Sequence, residues 1–110
     1  MFEDEYVLCA ASAYTKQYYF NPAFDSLPES VQEDLNILCV LFTEEVGGNL
    51  ILKFDEEGTL LLETSAAEED LLYDEIGSGL KIKEIQQTKA DLLESLEMFF
   101  RVFFLGEEEE

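Results

Sequence analysis

Alternation of apolar and polar positions is clearest between residues 49 and 64, where Leu50, Leu52 and Phe54 share one parity and Ile51 and Lys53 the other. A period of two marks a strand with one buried face. Asp55-Glu56-Glu57-Gly58-Thr59 then supplies a short turn, with Gly58 where a left-handed backbone is wanted. Setting Asp55 opposite Thr59 pairs Phe54 with Leu60, Leu52 with Leu62 and Leu50 with Thr64, which predicts one face almost wholly apolar. The other face carries Ile51, Lys53, Leu61 and Glu63, with Lys53 able to offset Glu63 across the strands. A slip of one residue would drive charge into the core, so this register is strongly specified.

The first 21 residues also read as strands. Tyr6 to Ser12 is small and apolar, and Lys16-Gln17-Tyr18-Tyr19-Phe20 is aromatic with high β-propensity. Ala13-Tyr14-Thr15-Lys16 is short enough to close a hairpin between them, and Asn21-Pro22 ends the second strand because Pro cannot donate to a ladder. Helical spacing takes over next. Ser26-Leu27-Pro28-Glu29 resembles a capping box with Pro in the first turn, and Val31, Leu35, Leu38 and Phe42 follow on one helical face. Ile37, Val40 and Leu41 widen that face, predicting a helix covered on more than one side, and Gly47-Gly48 ends it.

A second capping box, Ser65-Ala66-Ala67-Glu68, predicts a short helix through residue 76. Gly77-Ser78-Gly79 then reads as a hinge before a long helix over residues 80–105. The architecture expected is α+β: two antiparallel hairpins forming a four-stranded sheet, with helices packed on one face and a long C-terminal helix. Residues 1–106 are expected to form one domain, and the like-charge run 107–110 a disordered acidic tail.

Within the last helix, Ile82, Ile85, Lys89, Leu92, Leu96, Phe99 and Phe103 make a heptad seam broken only by Lys89, and Leu93 and Phe100 form a second stripe beside it. Uninterrupted, that helix would be about 39 Å long and would overhang a domain of this size, leaving apolar surface for a partner. With Phe99 and Phe103 assigned to the core, Lys89, Leu93, Phe100 and Phe104 become the candidate interface residues, and a symmetric homodimer the expected assembly.

Charge narrows the choice of partners. The chain has 110 residues, 26 of them acidic and 6 basic, for a formal charge of −20, yet 47% of it is hydrophobic, which is too much for a disordered acidic chain. Such a charge is repelled by phosphate backbones and anionic membranes, so nucleic-acid and membrane partners are not expected, whereas a basic protein surface is attracted. No apolar run approaches the roughly 18 residues of a membrane span, and the acidic Met1-Phe2-Glu3-Asp4-Glu5 is unlike a signal peptide, which points to the cytoplasm. Cys9 and Cys39 sit in apolar stretches and read as buried thiols in a reducing compartment.

Catalytic chemistry finds little purchase. There is no His to serve as general base or metal ligand, and no cation neighbours either thiol in sequence. Acidic clusters such as Glu3-Asp4-Glu5, Asp55-Glu56-Glu57 and Glu68-Glu69-Asp70 lack the calcium-loop spacing, and Gly77-Ser78-Gly79 lacks the Lys of a phosphate loop. No catalytic, metal or cofactor residue is therefore assigned, and no cofactor is expected.

Three stretches, Leu38-Cys39-Val40-Leu41-Phe42-Thr43-Glu44-Glu45-Val46-Gly47-Gly48, Asp70-Leu71-Leu72-Tyr73-Asp74-Glu75-Ile76-Gly77 and Val102-Phe103-Phe104-Leu105-Gly106, resemble a family of short acidic bacterial proteins, a domain of unknown function. The resemblance implies a bacterial, cytoplasmic, single-domain protein and transfers no catalytic residue. The order of elements is also similar to the small roadblock and longin modules, although these have a fifth strand. The expected function is a non-enzymatic protein–protein interaction module. The competing readings are an acidic decoy occupying a basic protein surface and a small-molecule sensor with an apolar pocket beside the Phe cluster.

Overall fold

A computed structural model describes residues 6–106. Strands β1 (Tyr6–Ser12) and β2 (Gln17–Phe20) form the first hairpin, and β3 (Asn49–Phe54) and β4 (Leu60–Ser65) the second. Between them lie a 3₁₀ turn (Pro22–Phe24) and helix α1 (Glu29–Val46); helices α2 (Glu75–Thr88) and α3 (Ala90–Phe103) complete the order. The four strands make one antiparallel sheet ordered β2-β1-β3-β4, so the two hairpins join through β1 and β3. This is the expected α+β fold. The tail 107–110 and the cluster Glu3-Asp4-Glu5 lie outside the described residues.

The second hairpin has the expected register, with Phe54 opposite Leu60, Leu52 opposite Leu62 and Leu50 opposite Thr64. Lys53 meets Glu63 at 3.0 Å. At its tip Gly58 adopts φ 90°, and the Asp55 carboxylate accepts from the Glu57 and Thr59 amides. In the first hairpin Lys16 takes the left-handed conformation that closes the turn, at φ 56°. A register shift between Val7 and Cys9 leaves Leu8 as an extra residue against β3, and Leu8 and Cys9 are both fully buried.

The buried strand residues, among them Cys9, Leu50, Leu52 and Phe54, face the helices. Cys9 meets Cys39 of α1, and Phe54 stacks on Phe100 of α3 with ring centroids 4.3 Å apart. Helix α1 buries Leu35, Leu38, Cys39 and Phe42 and ends where Gly47 takes φ 87°. Its flanking residue is Pro28, two beyond the proposed cap Ser26, and no side chain caps it. Aromatic rings cluster at one end of this core: Phe24 stacks on Phe104 at 4.6 Å, and Phe100 on Phe104 at 5.1 Å.

The C-terminal half departs from expectation in three places. Ser65 does not start a helix: it is the last residue of β4, and its hydroxyl accepts from the Asn49 side chain at 3.2 Å. The chain then runs irregularly over residues 66–74, and α2 starts after Asp74, whose carboxylate accepts from the Gly77 amide at 3.0 Å. Gly77-Ser78-Gly79 lies inside α2 rather than forming a hinge. A Cβ at Gly77 would stand 2.6 Å from the Asp74 carboxylate, so the small residue makes room for the cap.

The long C-terminal helix is two helices. Lys89, at φ −114° and ψ 25°, ends α2 and precedes α3, although no Pro or Gly is near. The Thr88 hydroxyl donates back to the Glu84 carbonyl at 2.9 Å, a bond that bends helices. The elbow separates two different packings. Helix α3 lays Leu93, Leu96 and Phe100 into the core, whereas α2 buries only Ser78 and Ile85.

Candidate interaction surface

Of the four candidate interface residues, three belong to the interior. Phe100 is 0% exposed between Phe54 and Phe104, Leu93 is buried, and Phe104 is half-buried against Phe24. Phe100 and Phe104 fill the core; of the pair expected there, Phe99 is partly buried against it, whereas Phe103 is 70% exposed and rests its ring against Phe99 at 4.7 Å. The cause is the elbow. A continuous helix would have kept the heptad seam in phase, but the break at Lys89 lets α3 rotate its Leu93–Leu96–Phe100 stripe onto the sheet.

Lys89 itself is exposed and lines a groove of about 230 Å³ between α1 and the elbow. Ile37 and Leu41, one turn apart on α1 and each about half exposed, form one wall; Ile85 and Leu92 form the other. The rim holds Asp34, Glu45 and Glu84 against Lys81 and Lys89, three acids and two bases. Lys81 is committed to Glu45 at 2.9 Å and Glu84 at 3.4 Å, and its hydrogen bond to Glu45 raises its pKa. Among the described residues Lys89 has no ion pair.

A second surface escaped the sequence reading. In the irregular segment 66–74, Ala67, Asp70 and Tyr73 are tied to the rest of the fold. The Tyr14 hydroxyl, from the first hairpin turn, donates to the Asp70 carboxylate at 2.6 Å and accepts from the Ala67 amide at 2.9 Å. The bond to Asp70 raises the Tyr14 pKa. The Tyr73 hydroxyl donates to the buried Ser78 at 2.7 Å, and its ring occupies the space a Cβ on Gly48 would need. The apolar residues of the same stretch point out: Leu71 is 89% exposed, Leu72 95%, and Ile76 and Leu80 on α2 78% and 63%. The signal for this was present, since adjacent Leu71 and Leu72 between acids fit neither a strand nor a helical face.

Behind α1, Cys9 and Cys39 are fully buried free thiols with sulfurs 3.7 Å apart. The hydrogen bond between them, then burial, pushes the Cys39 thiol far above its ordinary pKa. Burial likewise pushes the Tyr18 phenol up, with the adjoining Cys9 and Cys39 adding to the shift; its hydroxyl is shut away from solvent with no well-formed hydrogen bond. Thiols held protonated are poor nucleophiles. Among the described residues no group of three or more His, Cys, Asp or Glu side chains converges as a metal site, and no helix is long and apolar enough to cross a membrane.

No curated protein and no solved structure matches this chain. A family model does, over residues 5–108, which include both hairpins, the three helices, the groove and the outward-facing leucines. The chain belongs to a family of unknown function, DUF6145.

Proposed function

We propose that this protein is a non-enzymatic interaction module that pairs with a second copy of itself through the groove between α1 and the elbow. The observation that carries this reading is the groove's composition: apolar Ile37 and Leu41 stand half exposed beside a rim of three acids and two bases, in a chain that is otherwise overwhelmingly acidic. Two copies of a chain carrying −20 repel each other least where the local charges nearly cancel. Lys89, without an ion pair of its own, is placed to meet an acid of the second copy. A chain without His, and with no base beside its thiols, supports a non-catalytic role, and two free thiols in contact support residence in a reducing cytoplasm.

Sedimentation equilibrium at micromolar concentration tests the pairing, in about 0.3 M salt to shorten the Debye length to about 6 Å. The expected mass is twice the chain's 12.6 kDa, and Ile37→Asp with Leu41→Asp should return it to a single chain without loss of helix signal. A wild-type mass of 12.6 kDa overturns the reading.

A further inference from the structure

We infer that Leu71, Leu72, Ile76 and Leu80 form a docking surface, separate from the groove, for a cationic amphipathic helix of another protein. The inference shares with the proposed function only the premise that the protein binds other chains; it does not need the dimer.

Four large aliphatic side chains lie within ten residues, each more than 60% exposed. Scattered exposed leucines are ordinary, but a cluster this dense is a feature of contact surfaces. Nor is the cluster a loose end. Tyr14 clasps the segment at Ala67 and Asp70, and Tyr73 clasps it to Ser78 two residues before Leu80. Residues on either side of the leucines are thus fixed, and the leucines are held out between them. Pre-ordering of this kind lowers the entropy lost on binding.

Charge selects the occupant. Glu68, Glu69, Asp70, Asp74 and Glu75 flank the two leucines, and no Lys or Arg lies between Lys53 and Lys81. A second copy would set five carboxylates against five, and an anionic lipid surface would be repelled in the same way. A helix with leucine-like residues on one face and Lys or Arg on its margins would cover the aliphatic side chains while its cations met the acids, the arrangement used when amphipathic helices dock on apolar surfaces.

An 18-residue Leu/Lys amphipathic peptide is the probe, titrated by fluorescence anisotropy at 0.15 and 0.3 M salt. The controls are a scrambled peptide of equal charge, phosphatidylcholine vesicles, and the Ile37→Asp/Leu41→Asp variant. The amphipathic peptide should bind more tightly than the scrambled one at both salt concentrations. Leu71→Ser with Leu72→Ser, which keeps every charge, should weaken binding about a hundredfold with the melting temperature unchanged. The groove variant should bind like wild type. Equal binding of the scrambled peptide, or unchanged binding by the Leu71/Leu72 variant, overturns the inference. So does loss of self-association in that variant, which would make a second copy the occupant, or vesicle binding that it abolishes, which would make the occupant a lipid surface. A monomer that binds the peptide removes the dimer and leaves this surface standing; a dimer that ignores the peptide does the reverse.

Discussion

Helix α3 and the segment from residue 66 to 80 are both rich in large apolar side chains, and they dispose of them in opposite ways. Helix α3 spaces Leu93, Leu96 and Phe100 by three and four, and all three are buried. The earlier segment sets Leu71 against Leu72 and hems both with acids, and both stand in solvent. For Leu71 and Leu72 spacing makes the difference; Ile76 and Leu80, four apart on α2, stand exposed all the same. Residues three and four apart share a helical face and can enter one core together, whereas adjacent ones diverge. Asp70 and Tyr73 are the residues of the segment held by hydrogen bonds, to Tyr14 and Ser78. Burial in α3 works for the fold; the exposure at 71 and 72 contributes no packing to it.

Three experiments press on that contrast. The largest effect belongs to the packed side: Phe100→Ala opens a cavity among Phe54, Phe104 and Tyr6 and should cost about 3–5 kcal/mol in urea unfolding. A cost near that of a surface change would move Phe100 out of the core.

Alkali attacks the packed side by another route. In the unfolded chain a thiol ionises near pH 8.5, while native Cys39 stays protonated beside Cys9. Below about pH 8.5 its contribution to stability is complete; above it the unfolded chain gives up a proton that the native one keeps, so stability falls. At pH 10 the loss should be about 2 kcal/mol, and Cys39→Ala should flatten the slope between pH 8 and 10. Equal slopes in the two proteins would place the thiol in contact with water.

The smallest effect falls on the segment. Tyr73→Phe removes the bond to Ser78 and should cost about 1 kcal/mol, with faster amide exchange confined to residues near 66–78 and α3 unaffected. Exchange that quickens equally in α3 would show that the segment and the core open together.

The hairpin over residues 49–64 was readable because alternation and a short turn agree on a single register, and Lys53–Glu63 could be named in advance. The C-terminal half was harder because its local signals conflict with tertiary ones. Ser65 looks like a helix cap, but its hydroxyl is taken up by Asn49 on the neighbouring strand. Gly77 and Gly79 look like a break, yet the Asp74 cap starts the helix ahead of both. At Lys89 the sequence did carry a mark, the lone polar residue of the heptad seam. Its meaning as an elbow depends on the back-bond from Thr88 and on a sheet close enough to reward α3 for turning. The same elbow explains why Phe100 and Phe104 were assigned to the surface. The groove beside Lys89 was out of reach, since its second wall comes from α1, some 50 residues upstream.

The extra residue in β1 has a consequence for the parity of the whole strand. Beyond the shift, Cys9 and Ala11 lie toward the helices; before it, the phase is reversed, so that Tyr6 and not Val7 shares their side. Tyr6 sits opposite Phe54 and puts its ring 5.1 Å from Phe100 and 6.1 Å from Phe104. Holding Leu8 outside the pairing therefore acts as a frame correction, exchanging a small aliphatic residue for the ring that closes one edge of the aromatic cluster. Deleting Leu8 would close the ladder into plain alternation with Tyr6 still opposite Phe54, at the cost of a fully buried side chain; drawing Leu8 into the pairing opposite Lys53 is what would put Val7 under α3 and turn the tyrosine to the open face of the sheet.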